Sequence, residues 1–229
     1  MDEIDICLVT WPNHPRRIEY FRSTLRLLRV RLCASGHIVN WYCSSESERD
    51  HRGTWHGNEL DALCAAEGIR LSYRNGPASV GANMNAAMRL GMAPYVFLVQ
   101  DDFELARPCD LSPGVRLLAE HAEVDLVRYS WPAHLVRYSG EIAGFRILDI
   151  NGPWPYGDDP QLRRRSFTQK WGQLLEGGPH GVNEPDMCRR FVARKAVVAV
   201  ADERPFFGHK GAVSSVPLDK EYRNREVSR

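Results

Sequence analysis

The sequence predicts an α/β fold in which a mostly parallel sheet is flanked by helices. Strand-like and helix-like patterns alternate over residues 1–105, which is typical of parallel sheets with crossover helices. The run 95–99 is continuously apolar, as expected for a strand that is covered on both faces. Two adjacent carboxylates, Asp101 and Asp102, follow closely on that run.

Four strands and three helices are predicted in this first part of the chain. The strands are the apolar, β-rich segments 4–11, 37–45, 69–75 and 94–100. Apolar residues recur at steps of three and four from Ile18 to Leu32, which predicts a long amphipathic helix. The other two helices are predicted over 58–68 and 79–93.

The remaining residues predict a smaller mixed region. It begins with a helix over 112–123, with Ser112 as N-cap, and hairpin strands over 124–131 and 134–150. A loop over 151–167 then leads to a helix over 167–181 that is closed by glycines. A helix running into a strand over 184–200 and a loop over 203–218 follow. No linker divides the chain, so we expect one domain over 1–229, with a first half 1–105, a second half 106–215 and a flexible tail 216–229.

Composition excludes some classes of partner. Lys and Arg total 30 and Asp and Glu total 29, so overall charge does not drive the chain onto DNA or an anionic membrane, although a local basic patch remains open. The six scattered cysteines show no metal-site spacing and read as reduced core residues. The acidic N-terminus resembles no signal peptide, and no apolar run approaches the ~18 residues of a membrane span. We therefore expect a cytoplasmic protein without a membrane span.

The adjacent carboxylates mark a candidate site. Like charges repel, and burial against a sheet removes their hydration, so a cation should lie beside Asp101 and Asp102. Lys, Arg and a divalent metal ion are the candidates. Ligands of open α/β sheets bind beyond the carboxyl ends of the strands, where this pair stands. The alternative is a cap or turn at the end of a strand.

The run NMNAAMRLGMAPYVFLVQDD resembles the central motif of family 2 glycosyltransferases, which have the GT-A fold. In that alignment Asn85 matches the family Asn, Gln100 matches the first Asp of the metal-binding Asp-x-Asp motif, and Asp102 matches the second. The resemblance implies a nucleotide-sugar-dependent transferase with Mn²⁺ or Mg²⁺ as cofactor. Because Gln100 carries no charge, the implied metal role rests on Asp102, with Asp101 beside it.

Two further segments extend the resemblance. NEPDMCRR is similar to the acceptor-site motif of the family, with Glu184 in the place of the catalytic base and with Asp186 and Arg190 matching directly, although Asn183 replaces a Glu. FFGHKG is similar to a His-x-Gly segment that implies His209 as a metal ligand. The resemblance implies an inverting displacement in which Glu184 takes the proton of an acceptor hydroxyl.

By the same resemblance, the first half holds the nucleotide sugar, most simply a UDP-sugar, and the second half holds the acceptor. The implied nucleotide contacts are Thr10, Trp11, Ser45, Glu46, Asn85, Arg89, Gln100 and Asp101. The run Arg163–Arg165 is a candidate phosphate clamp. The acceptor is not specified.

Structural alternatives exist for these candidates. Glu184 and Asp186 suit the first turn of a solvated helix, where Asp186 pairs with Arg190 at i,i+4. His209 suits an ordinary loop, Asn85 a helix start, and the arginine run a solvated face.

Three alternative functions also remain. They are transfer to a nucleic-acid acceptor such as a modified DNA base, nucleotidyl transfer, and nucleotide binding without turnover. The second would favour a Gly-rich phosphate loop with a Lys after the first strand, which TWPNHPRR lacks. The departures at Gln100 and Asn183 favour the third.

Overall fold

A computed structural model describes residues 2–12, 15–47, 55–75, 79–130, 136–177 and 182–210, and for residues 47, 55, 56 and 75 it describes the backbone alone. The tail predicted over 216–229 lies outside the described residues. In the first half of the chain the elements are β1 (Glu3–Thr10), α1 (Pro15–Arg31), β2 (Leu32–Cys33), β3 (Ile38–Ser47), α2 (Trp55–Ala66), β4 (Arg70–Asn75), α3 (Val80–Arg89), β5 (Tyr95–Gln100) and β6 (Phe103–Leu105). The second half contains β7 (Cys109–Asp110), α4 (Ser112–Glu120), β8 (Val124–Arg128), β9 (Tyr138–Ile142), β10 (Phe145–Leu148), β11 (Gln161–Arg164), α5 (Phe167–Trp171), α6 (Asn183–Arg194), β12 (Val197–Val200) and β13 (Phe207–His209).

Nine strands form the central sheet in the order β4-β3-β1-β5-β11-β8-β12-β10-β9. The first four strands are parallel, β11 runs antiparallel between β5 and β8, β8 pairs in parallel with β12, and β10 is antiparallel to both of its neighbours. The predicted alternation of strands and helices over the first half is therefore confirmed, as is the mixed character of the second.

Strand β1 lies inside the sheet, between β3 and β5, and apolar residues point to both of its faces. Ile4, Ile6 and Leu8 belong to one hydrophobic cluster, which includes the buried face of α1. Cys7 and Val9 point to the other side and join a cluster with α3. Because successive residues of a strand face opposite sides, this arrangement covers the sheet with helices on both faces.

The structure corrects four local predictions. The predicted loop 151–167 contains β11, and the predicted loop 203–218 contains β13, which pairs with β6. Of the helix predicted over 167–181, the described residues 167–177 form only the short α5, whose C-cap Gly172 has φ +81°, and residues 178–181 lie outside the described ranges. Ser112 is not an N-cap, because it lies within α4 and its hydroxyl donates to Asp110 and to the Ser35 carbonyl.

The arginine run fastens the sheet instead of clamping phosphate. Arg163 is buried, and its guanidinium lies 4.6 Å from the centre of the Phe167 ring. Arg164 donates to the carbonyls of Leu118, His121 and Val124. These contacts lie toward the amino end of β5, because Arg164 pairs with Tyr95, so the phosphate-clamp prediction is wrong. The alternative, that the arginine run forms a solvated face, is also wrong, because Arg163 is buried and Arg164 binds backbone carbonyls.

Arg165 holds the amino edge of the sheet together. Its guanidinium donates to the carbonyls of Met88, Leu90 and Ala93 and forms an ion pair with Asp5 of β1. The Asp5 side chain is fully buried. A buried carboxylate depends strongly on such a partner.

No helix in the described ranges combines the length and apolar character that a membrane crossing requires. The six cysteines are free thiols; four are buried, Cys188 is partly buried and Cys33 is exposed.

The ion pair at Asp5 predicts a stability difference. Arg165→Met should lower the free energy of unfolding by about 3 kcal/mol, because it leaves a buried carboxylate without its cation. Arg189→Met is the matched control, since Arg189 is 72% exposed and its pair with Asp186 should contribute ~0.5 kcal/mol or less. Urea unfolding followed by tryptophan fluorescence measures both values. Equal effects of the two substitutions would contradict the prediction.

Candidate active site

A cavity of about 530 Å³ opens at the carboxyl ends of β1, β3 and β5. Its lining includes eight of the residues predicted from the sequence, namely Thr10, Trp11, Glu46, Gln100, Asp101, Asp102, Glu184 and His209. Residues far apart in the chain meet here because the parallel strands all end at this edge.

Asp101 is held from several elements at once. Its Oδ2 accepts a hydrogen bond of 2.6 Å from Thr10 Oγ1, and its Oδ1 accepts one of 2.9 Å from Arg17 Nη1. Its carbonyl accepts from Thr24 Oγ1 at 2.8 Å. Burial raises the pKa of Asp101 to about 6, an effect that the Arg17 guanidinium opposes and the Asp102 carboxylate reinforces. Both carboxyl oxygens of Asp101 are thus engaged in holding the fold.

Asp102 keeps one oxygen available. Arg17 Nη1 also lies 3.0 Å from Asp102 Oδ2, so a single guanidinium bridges the two carboxylates. His209 Nε2 lies 3.2 Å from the same Oδ2. Asp102 Oδ1 is buried and has no hydrogen-bond partner within the described part of the chain. Burial raises the pKa of Asp102, but the contacts with His209 and Arg17 outweigh burial and hold that pKa below its usual range.

His209 reaches Asp102 through a small antiparallel ribbon. Strand β13 pairs with β6 so that His209 lies opposite Phe103, and the two rings stack with centroids 4.6 Å apart. The Lys210 N–H also donates to the Asp102 carbonyl at 2.8 Å. The residue after the carboxylate pair therefore positions the imidazole.

Asp102 and His209 suit a divalent cation as two adjacent ligands. Neighbouring ligands of an octahedral ion at ~2.1 Å lie about 3 Å apart, which is close to the observed separation of Oδ2 and Nε2. Oδ1 of Asp102, which has no hydrogen-bond partner in the described ranges, is a further oxygen that could bind the ion. The described residues form no cluster of three or more His, Cys, Asp or Glu ligands, so the remaining positions would fall to substrate oxygens and water.

The side of the cavity beneath β1 and β3 carries polar groups suited to a nucleotide. Glu46 is buried, and its Oε1 accepts from the Ser79 N–H at 2.8 Å. The indole N–H of Trp11 is buried and has no hydrogen-bond partner in the described ranges. An unpaired buried donor is costly unless a ligand or water satisfies it.

The asparagine of α3 that lines the cavity is Asn83, which the sequence analysis missed. Its Nδ2 donates to the Thr10 carbonyl at 2.9 Å, and its Oδ1 accepts from Ser44 Oγ. Val80 also lines the cavity, and the i,i+3 spacing of Val80 and Asn83 is a signal that could have identified this face.

Three predicted nucleotide contacts do not line the cavity. Asn85 holds the segment after α5, because its amide bonds the N–H and carbonyl of Leu174 and the Glu176 carboxylate. Ser45 is buried and donates to the Glu46 carbonyl. Arg89 is exposed in the last turn of α3, whose first turn faces the cavity. The structure therefore places these three residues outside the cavity lining.

The opposite wall of the cavity is the loop 157–159, which precedes β11 and was not predicted as part of the site. Gln100 Nε2 donates to the Asp158 carbonyl at 2.7 Å, and the Asp158 N–H donates to Glu184 Oε1 at 3.0 Å. Asp159 forms an ion pair with the buried Arg128. The acidic pair in GDDP was the available signal, but its place depends on β11.

Asp186 lies outside the cavity lining. Its carboxylate pairs with Arg190 at i,i+4, as the structural alternative from the sequence predicted. Arg190 in turn donates to the carbonyls of Trp171 and Gln173. Asp186 is thus placed to secure α6 against the segment after α5.

No protein-family model and no curated protein matches this chain. Solved structures do match it. Residues 1–349 of TarS from S. aureus align with a TM-score of 0.59 at 12% identity, over 90% of this chain and 59% of that chain. The mannosyltransferase PcManGT from Pyrobaculum calidifontis, in complex with GDP-Man and Mn²⁺, aligns with a TM-score of 0.56 at 13% identity, over 89% of this chain and 58% of that one.

A third structure, CMP:2-keto-3-deoxy-manno-octonic acid synthetase complexed with CTP, aligns with a TM-score of 0.57 at 11% identity, over 99% of this chain and 100% of that chain. In contrast, this chain spans less than two thirds of the TarS and PcManGT chains that it matches. At these identities the similarity shows the fold, which is the GT-A-like α/β fold that the sequence predicted.

Proposed function

We propose that this chain is a metal-dependent glycosyltransferase that moves a sugar from a nucleotide sugar to an acceptor hydroxyl. The observation that carries the proposal is the meeting of Asp102 and His209 at the edge of the cavity, with a free carboxylate oxygen beside them. The GT-A-like fold, shared with a mannosyltransferase structure that contains GDP-Man and Mn²⁺, supports the proposal.

The donor occupies the side of the cavity formed by Thr10, Trp11, Glu46 and Asn83. The Trp11 indole supplies an aromatic face and a free donor, and the Glu46 carboxylate can accept from an imino N–H such as that of uracil. We propose a UDP-sugar on this chemistry.

Asp102 and His209 would hold Mn²⁺ or Mg²⁺, and imidazole as a ligand favours Mn²⁺. Such an ion supplies Lewis-acid stabilisation of the charge that develops on the leaving diphosphate. Arg17 forms ion pairs with both Asp101 and Asp102. Its guanidinium therefore lies beside the proposed metal position and would add positive charge near that diphosphate. Gln100 does not act as a ligand in this proposal, because it holds the Asp158 carbonyl.

The acceptor occupies the wall formed by the loop 157–159 and the start of α6. Trp154 also lines this part of the cavity and is 37% exposed, which suits stacking against a sugar ring. A single displacement that inverts the anomeric centre needs one base on this wall. Glu184, the base that the sequence resemblance implies, and Asp158 are the neighbouring carboxyls there.

Thermal shift against a panel of nucleoside diphosphates, nucleotide sugars and nucleoside triphosphates, each with and without Mn²⁺, tests the proposal. A ligand present at ~100 times its dissociation constant should add about 2.7 kcal/mol to the free energy of unfolding. We expect a Mn²⁺-dependent rise with UDP and a UDP-sugar. A rise with a triphosphate such as CTP alone would favour nucleotidyl transfer instead, and no response at all would contradict nucleotide binding.

Asp102→Ala should abolish the Mn²⁺-dependent part of that rise while the ligand-free protein remains folded. The physical reason is that the substitution removes the proposed metal's carboxylate but leaves the Asp101 contacts with Thr10 and Arg17. Glu203→Ala is the control, because Glu203 is 70% exposed and is not among the cavity residues. Unchanged affinity of Asp102→Ala for UDP in the presence of Mn²⁺ would overturn the metal assignment.

A further inference from the structure

We propose that Asp158 is the general base of the transfer reaction, and that Glu184 and Gln100 are positioning residues that hold it. The inference rests on the proposed glycosyltransferase function and assigns one of its roles. It differs from the assignment that the sequence resemblance implies, in which Glu184 itself takes the proton.

The backbone carbonyl and the backbone N–H of Asp158 are both hydrogen-bonded to side chains. Its carbonyl accepts from Gln100 Nε2 at 2.7 Å, and its N–H donates to Glu184 Oε1 at 3.0 Å. Gln100 ends β5 and Glu184 lies in the first turn of α6, so two rigid elements fix the position of the loop residue between them. A base needs this kind of support, because proton transfer requires placement within hydrogen-bond distance of the acceptor.

Three other carboxyls of the cavity are already engaged in contacts within the protein. Asp101 is bound by Thr10 and Arg17, and both oxygens of Asp159 face the Arg128 guanidinium. Glu184 uses Oε1 to accept from the loop backbone. A carboxylate that is neutralised by Arg or that serves as a structural acceptor is a weaker base.

Asp158 differs from these groups. It lines the cavity and is half-buried, and its Oδ1 is buried without a hydrogen-bond partner in the described ranges. It also forms no ion pair within the part of the chain that the structure describes. A carboxyl without an ion-pair partner beside an acceptor wall can accept a hydroxyl proton.

The groups around Asp158 bring its pKa close to neutral pH. Burial and the neighbouring Glu184 carboxylate raise the pKa of Asp158 to about 7, with a smaller contribution in the same direction from Asp159. The Tyr156 hydroxyl and the Arg163 guanidinium act in the opposite direction. A general base is most effective when its pKa lies near the working pH.

The step balances as a single displacement. The ionised Asp158 takes the proton of the acceptor hydroxyl, and the hydroxyl oxygen forms a bond to the anomeric carbon of the donor. The bond from that carbon to the diphosphate oxygen breaks, and its electron pair leaves with the nucleoside diphosphate. The proton ends on Asp158, which returns it to solvent before the next cycle.

The test compares Asp158→Asn with Glu184→Gln in the release of UDP from a UDP-sugar, with water or an added acceptor. Asp158→Asn should slow release by about 10²–10⁴-fold and retain the UDP-induced thermal shift. Glu184→Gln keeps an oxygen that can accept from the Asp158 N–H, so it should lose no more than about tenfold. Glu203→Gln, at an exposed residue outside the cavity, is the control and should match the wild type.

The pH profile separates a base from a structural role. Wild-type kcat/KM should rise with pH through about 7, because Asp158 acts only when ionised. Glu184→Gln removes a negative charge that raises the pKa of Asp158, so its rising limb should move to lower pH. Added formate should partly restore UDP release to Asp158→Ala if the missing group is a base.

Three results would overturn the assignment. A loss of 10²-fold or more in Glu184→Gln, with Asp158→Asn within tenfold of the wild type, would return the base role to Glu184. Loss of the UDP-induced thermal shift in Asp158→Asn would make Asp158 a binding residue. If the wild type releases UDP from no UDP-sugar although it binds UDP, the proposed transferase function fails, and the base assignment fails with it.

Discussion

The contacts of Asp101 hold the carboxyl edge of the sheet together. This buried carboxylate accepts from Thr10 at the end of β1 and from Arg17 of α1, and its own N–H donates to the Val9 carbonyl. Thr24, about two turns further along α1 than Arg17, donates to the Asp101 carbonyl. A buried carboxylate without such partners is strongly destabilising, so β1, α1 and β5 are fixed relative to one another where the cavity begins.

This arrangement gives the two adjacent aspartates different roles. Since Asp101 takes the structural contacts, Asp102 retains an unpartnered oxygen and lies against His209. Arg17 makes the pair tolerable by bridging the two carboxylates. The sequence predicted a cation beside the two carboxylates, and in this structure that cation is Arg17. It lies next to the position that we propose for the metal.

The antiparallel strand β11 gives the cavity its second wall. Inserted between β5 and β8, it begins at the edge where β5 ends, so the loop 157–159 faces the aspartates. Gln100 and Glu184 then fix that loop through the backbone of Asp158. The two residues thus hold the two peptide groups on either side of the Asp158 Cα atom. The departure at Gln100 is therefore compatible with a working site, because an amide can donate to a carbonyl and a carboxylate cannot.

The sequence by itself determined the alternating strands and helices of the first half, because hydrophobic periodicity and buried apolar runs are local properties. It also located Asp102 and His209, whose residue types limit the chemistry they can perform. The tertiary structure decided what depends on contacts between distant segments: that QLRR is a central strand, that Asn83 rather than Asn85 faces the cavity, and that the arginine run binds carbonyls. Strand pairing and the direction of a side chain are fixed by neighbours far away in the chain, so local patterns do not determine them.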